Sequence, residues 1–215
     1  LTYVSFSSHM SNDCLGYAGL DQPAKLIDRS LYDQISKTDY RKSLFNGPEG
    51  DKTASADTPG AARPYASRKF GFMAQWLQDY IYMRASEMVL IEAESYARLG
   101  DGAKAASVLG ELMAKRDIAW KSASVTVDDV LLQRRIELWG EGHGYYDLRR
   151  NGKGIDRNYE GTNHTPANRI KVPAHDNLWW FQLPLKEITE NDMISEDEQN
   201  PWTKKQDDDK DDKED

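Results

Sequence analysis

Residues 79–116 restrict what this chain can fold into more than any other stretch. Ala85, Val89, Ala93, Tyr96 and Ala97 recur at i, i+4, i+8, i+11 and i+12, which is one face of an α-helix. Gly100 supplies a C-terminal stop, and the Asp101 carboxylate can cap a second helix. That second helix carries Ala103, Ala106, Leu109 and Met113 on its apolar side. The small alanines let two helix backbones approach closely. A long helix, a Leu-Gly-Asp turn and an Ala-rich second helix form one tetratricopeptide-like hairpin, with no array of such units behind it. A third helix is expected from about Val127 to Trp139. Thr126 and Asp129 have the spacing of a capping box. Leu132, Ile136 and Trp139 stripe one of its faces, while Arg134, Glu137 and Glu141 fall at i, i+3 and i+7 on another.

The flanking regions are less regular. Asn46-Gly47-Pro48 and Thr58-Pro59-Gly60 are turn chemistry, and residues 48–64 read as an exposed loop. Lys69–Phe72 is expected to be a short strand. Residues 150–178, with Gly152, Gly154 and Gly161, look irregular. Trp179–Leu183 reads as a buried strand ended by Pro184, followed by a helical turn through Glu187 and Ile188. From Thr203 the chain is a run of Lys, Asp and Glu with no apolar residue to offset ordering entropy. The chain therefore divides into a loop-rich segment 1–78, a helical region 79–202 and an acidic tail 203–215 expected to be disordered. The fold class is mainly α, with tetratricopeptide-like helix pairs, long loops and a few short strands.

Several chemistries find no support. The formal net charge of -8 opposes binding to nucleic acid or to an anionic lipid surface. Cys14 is the single cysteine and cannot close an internal disulfide. His9, His143, His164 and His175 lack metal-ligand spacing. The aspartates of 207–212 lack the alternating ligands, central glycine and final glutamate of a calcium loop. No metal or cofactor is expected. Glu137 and Glu141 lie one turn apart on one helix. Glycoside hydrolysis needs carboxyls facing each other across a bond, so structural ion pairs with Arg134 are the simpler reading. No run of about 18 apolar residues exists. Leu1–Met10 has neither a basic nor an apolar leader segment, so the start of the natural protein is expected to lie upstream.

Seven pieces of sequence stand in a recognisable order. Tyr82-Met83-Arg84-Ala85-Ser86-Glu87-Met88 precedes Ile91-Glu92-Ala93-Glu94. Arg134-Arg135-Ile136-Glu137-Leu138-Trp139-Gly140-Glu141-Gly142 precedes Tyr146-Asp147-Leu148-Arg149-Arg150. Asn163-His164, then Phe181-Gln182-Leu183-Pro184 with Glu187-Ile188 and Asn191, and Gln199-Asn200-Pro201 follow. Upstream, Gly16-Tyr17-Ala18-Gly19, Leu31-Tyr32-Asp33-Gln34-Ile35 and Thr38-Asp39-Tyr40-Arg41-Lys42 fit a branch of the same pattern. Together these resemble the C-terminal part of a SusD/RagB-type nutrient-binding outer-membrane lipoprotein, over about residues 15–202. Gln133, His143-Gly144 and Trp202 depart from the family pattern.

The resemblance implies a lipid-anchored, non-catalytic receptor on the outer-membrane surface. Such a receptor captures oligosaccharides or other nutrients for a SusC-like TonB-dependent transporter. It implies a structural ion-pair network among Arg84, Glu87, Arg134, Arg135, Glu137, Glu141, Asp147, Arg149 and Arg150. His9, Asn12 and Tyr17, in the turn-rich segment before the helices, are the candidate ligand contacts. Competing readings are a tetratricopeptide-type protein adaptor and a polysaccharide-degrading enzyme. The adaptor needs more helix pairs and an apolar groove; the enzyme needs a facing carboxylate pair in a cleft.

Overall fold

The computed structural model describes residues 25–53, 62–69 and 83–201. His9, Asn12, Tyr17, Cys14 and the tail 203–215 lie outside them. The described residues are mainly helical, with one two-stranded sheet. They separate into two units. One runs to Gly144 and includes Gly161–Asn163; the other comprises Tyr145–Glu160 and the residues from His164 onward.

In the first unit, α1 (Arg29–Gln34) starts at Asp28, whose carboxylate accepts from the backbone N–H groups of Ser30 and Leu31. The hairpin is α2 (Ala85–Arg98) and α3 (Gly102–Met113). Gly100 stands between them at φ +81°, a left-handed turn that a side chain would resist. The Asp101 carboxylate caps α3 by accepting from the Lys104 N–H at 2.9 Å. Next comes α4 (Val127–Glu137), opened by a complete capping box between Thr126 and Asp129.

Leu90 and Ala93 of α2 pack on Ala105, Ala106, Val108, Leu109, Leu112 and Met113 of α3, with Val125, Val130 and Leu138 completing the cluster. Val89, Tyr96 and Ala97 flank it. Ala85 and Ala103, expected on the buried faces, are exposed because each lies in the first turn of its helix, ahead of the contact. Ala105, Val108 and Leu112 are buried beside the expected positions, so α3 buries a broader face than the sequence stripe marks.

Part of the loop-rich segment joins this unit through the other side of α4. Ile27, Leu31, Ile35, Phe45 and Tyr65 cluster with Ile136, flanked by Leu132 and Trp139. Phe45 and Trp139 meet edge to face at 5.1 Å between ring centres. Asn163 fastens the returning chain, accepting from the Arg29 N–H at 2.9 Å and donating to the Ile27 carbonyl at 2.8 Å.

The second unit takes most of α5 (His143–Arg150), then β1 (Ile155–Asp156), β2 (Lys171–Val172) and α6 (Leu185–Glu190). The antiparallel strands pair Ile155 with Val172 and Asp156 with Lys171. They lie inside the stretch whose sequence looks irregular. Conversely, residues 179–183 form no strand. Asn177–Trp179 is a 3-10 turn whose end is closed by the Trp180 N–H on the Asn177 carbonyl. Amide side chains then take the place of a neighbouring strand. The Leu183 N–H donates to Gln199 Oε1 at 2.8 Å, and Asn200 Nδ2 donates to the Phe181 carbonyl at 2.7 Å. With backbone groups satisfied this way, no ladder is needed. Lys69 sits in a turn rather than a strand, and residues 70–72 lie outside the description.

Candidate functional site

Two groups of charged and aromatic side chains stand out, one in each unit. The first is buried and centres on Glu137, at the last turn of α4. Glu137 is 4% exposed and accepts from three guanidinium groups. Arg116 approaches with Nε and Nη2, both at 2.9 Å, Arg41 with Nη1 at 3.2 Å and Arg84 with Nη1 at 3.3 Å. Arg84 also forks onto Glu141 at 2.9 and 2.8 Å, and Lys69 pairs with the same carboxylate. Arg41, 2% exposed, bonds Asp39 through Nε at 3.0 Å and Nη2 at 2.6 Å, with Gln133 Oε1 at 2.6 Å. The departure at Gln133 therefore supplies a neutral acceptor to a guanidinium that already has two carboxylates.

Burial alone would raise the Glu137 carboxyl. The hydrogen bonds and charge of Arg116, with the charges of Arg41 and Arg84, outweigh it and hold the group at about 2. A carboxyl held that low is ionised near neutral pH and has no proton to give as a general acid. Burial lowers Lys69, opposed by the charge of Glu141.

The second group lies in the second unit, where α5 and the loop after it meet residues 173–180. Trp179 is buried, and its indole N–H donates to the Pro173 carbonyl at 2.7 Å. The Tyr145 hydroxyl donates to the Trp179 carbonyl. The Tyr145 ring lies 5.7 Å from Trp179, 5.1 Å from Phe181 and 5.2 Å from Tyr146. Tyr146, Trp180 and Phe181 are exposed. A hollow of about 60 Å³ is lined by Arg149, Gly152, Lys153, His175, Trp179 and Trp180. Gly152, at φ +57°, lets the loop come close. A Cβ there would lie 3.0 Å from Nε2 of His175, which itself holds φ +62°.

The residues named from the sequence are dispersed between these groups. Arg84, Glu137 and Glu141 meet in the buried cluster. Asp147 pairs with Arg150 at 2.8 Å in the second unit. Glu87 faces His143 at 3.8 Å. Arg134 is buried on α4, whereas Arg135 is exposed. Among the described residues Arg149 joins no carboxylate; its guanidinium lies over the Trp180 ring, 4.5 Å from the centroid. Arg41, Arg116, Lys69 and Asp39 belong to the buried cluster but carry no local charge pattern that marks them. The one available signal is the segment Thr38–Lys42, which fits the family pattern.

Among the described residues no helix is long and apolar enough to cross a membrane, and no group of His, Cys, Asp and Glu is placed to hold a metal.

The family model described as the SusD family matches residues 74–202. Among solved structures, the chain resembles a SusD-like carbohydrate-binding protein from Bacteroides vulgatus ATCC 8482, with a TM-score of 0.66 and 22% identity over 92% of this chain and 46% of that one. A SusD superfamily protein from the same organism is 27% identical, with a TM-score of 0.57 over 78% of this chain and 36% of that one. Surface glycan-binding protein A from Bacteroides uniformis is 22% identical, with a TM-score of 0.56 over 86% of this chain and 42% of that one. The chain thus spans less than half the length of each. No curated protein matches it.

Proposed function

This chain belongs to the SusD family, and on that premise we propose that it serves in a non-catalytic surface receptor for nutrient glycans. The receptor holds an oligosaccharide at the outer face of the outer membrane, anchored there by a lipid, and passes it to a SusC-like TonB-dependent transporter. The observation that carries this reading is the family match over residues 74–202. The carbohydrate- and glycan-binding descriptions of the similar structures point the same way. The state of Glu137 and Glu141 supports capture without chemistry. Both carboxylates are occupied by guanidinium groups and make rigid pairs that join α4 to distant parts of the chain. His9, Asn12 and Tyr17 remain proposed ligand contacts.

Affinity electrophoresis of the intact protein through gels containing soluble polysaccharides tests the reading, with a reducing-end assay run in parallel. Retardation by at least one glycan without release of reducing ends is expected. Reducing ends that vanish in Glu137→Gln or Glu141→Gln would replace the receptor with an enzyme. Hand-over to a transporter is tested by capturing the protein from outer membranes. A β-barrel partner recovered in about equal amount is expected, since a stable interface buries roughly 1,200–2,000 Å².

A further inference from the structure

We propose that the hollow in the second unit is a subsite for an acidic sugar unit, a uronate or a sulfated sugar, with Arg149 as the residue that takes the anionic group. This rests on the glycan-receptor reading and adds to it a location and a ligand charge.

The Arg149 guanidinium carries the argument. Among the described residues it donates no hydrogen bond and pairs with no carboxylate. Its charge is instead placed against the face of Trp180. A guanidinium held against an aromatic face by cation–π attraction keeps its N–H donors for another partner. A fork already resting on a ring loses less freedom than an unsupported one when it binds a carboxylate or a sulfate.

The surroundings agree in charge and size. The lining has Arg149 and Lys153 and no Asp or Glu. The nearby Asp176 carboxylate is turned to the Leu178 N–H at 2.9 Å. A lining with Arg149 and Lys153 and without Asp or Glu is unexpected on a chain whose formal net charge is -8. The volume of about 60 Å³ is the space of a few water molecules, which suits one carboxylate or sulfate group better than a whole sugar ring. The ring would rest outside, where Trp180 is 47% exposed and offers aromatic surface to the apolar face of a pyranose. His175, a non-glycine residue, holds positive φ where it comes close to Gly152. Strain kept at a cleft of this kind is common at binding sites.

The test uses the intact protein and three probes: a galacturonate trisaccharide, a sulfated disaccharide and a neutral galactose trisaccharide. Amide exchange is followed for each probe on the unaltered protein. Binding constants are measured for it and for Arg149→Gln and Trp180→Ala. At least one acidic probe is expected to protect residues 149–153 and 175–180. Its affinity is expected to fall about tenfold in Arg149→Gln, the loss of one charge-assisted contact, and to weaken with added salt. The acidic probe that binds identifies the anion as carboxylate or sulfate. Equal protection of these amides by the neutral trisaccharide overturns the proposal, as does an acidic probe whose affinity Arg149→Gln leaves unchanged. The exchange map needs no variant, so a folding defect does not obscure the result. Binding of neutral glycans elsewhere with no binding of acidic ones removes the subsite and leaves the receptor reading intact. Failure of every glycan to bind removes both.

Discussion

Arg84 and Arg149 both stand in family-like sequence blocks, yet the two units use them in opposite ways. In the first unit Arg84 is one of four cations, with Arg41, Arg116 and Lys69, around Asp39, Glu137 and Glu141. In the second unit Arg149 lies over an indole at the edge of an open hollow, with no carboxylate on it among the described residues. The difference teaches which arginines are structural. Where water is excluded, a charge must be matched nearly atom for atom, because an unmatched one is costly. Where water reaches the group, an unmatched charge costs little and remains available to a ligand.

Removing Glu137 tests that contrast most strongly. Glu137→Gln leaves Arg116 without a carboxylate and takes one of two from Arg41 and from Arg84, and a loss of roughly 3–5 kcal/mol in unfolding free energy is expected from urea titration. The same variant changes the acid limb of stability. Glu137 has a folded value held below its ordinary one, from 4.5 to about 2. Its contribution is therefore complete above about 4.5 and is lost as the pH falls toward 2. That contribution is on the order of 3 kcal/mol. Urea midpoints measured across this window should fall more steeply for the natural chain than for Glu137→Gln. Parallel curves would show that the cluster is not tightly coupled to folding.

Glu141 is a milder case. Its side chain is 13% exposed and it shares Arg84 with Glu137. Glu141→Ala is expected to cost about 2 kcal/mol, between the buried and exposed limits. Thermal melts of the two variants should rank in that order, and a reversed ranking would move the centre of the cluster to Glu141.

Smaller effects belong to the second unit. Gly152→Ala forces a Cβ into left-handed backbone against His175, and about 1–2 kcal/mol is expected. Arg149→Gln should change stability by no more than about 0.5 kcal/mol. A melting point near that of the natural chain checks it. A large drop would place Arg149 with the structural arginines and erase the contrast.

The helices were legible because their signals are local. The Thr126–Asp129 capping box, the Gly100 stop and the Asp101 cap each involve neighbours within a turn or two. Glu137 was legible as charged and on a helix, but its partners were not. Arg41 lies 96 residues away, Arg116 lies 21 and Lys69 reaches its carbonyl across 68. No periodicity links positions so far apart. The expected strand at 179–183 failed for a related reason. An aromatic run fits a strand by composition, but a strand requires a partner, and here Gln199 and Asn200 satisfy the backbone instead.

By itself, then, the sequence determined the helical hairpin, the capped third helix and the ordered motifs that mark the family, because helix propensity, capping and periodicity act over a few residues. Tertiary structure alone decided that Arg84 is locked onto two carboxylates while Arg149 is left to an indole. Both are arginines in charged, helix-associated segments. What separates them is which distant groups the fold brings within about 3 Å and how much water it leaves beside them, and neither quantity is written in the local order of residues.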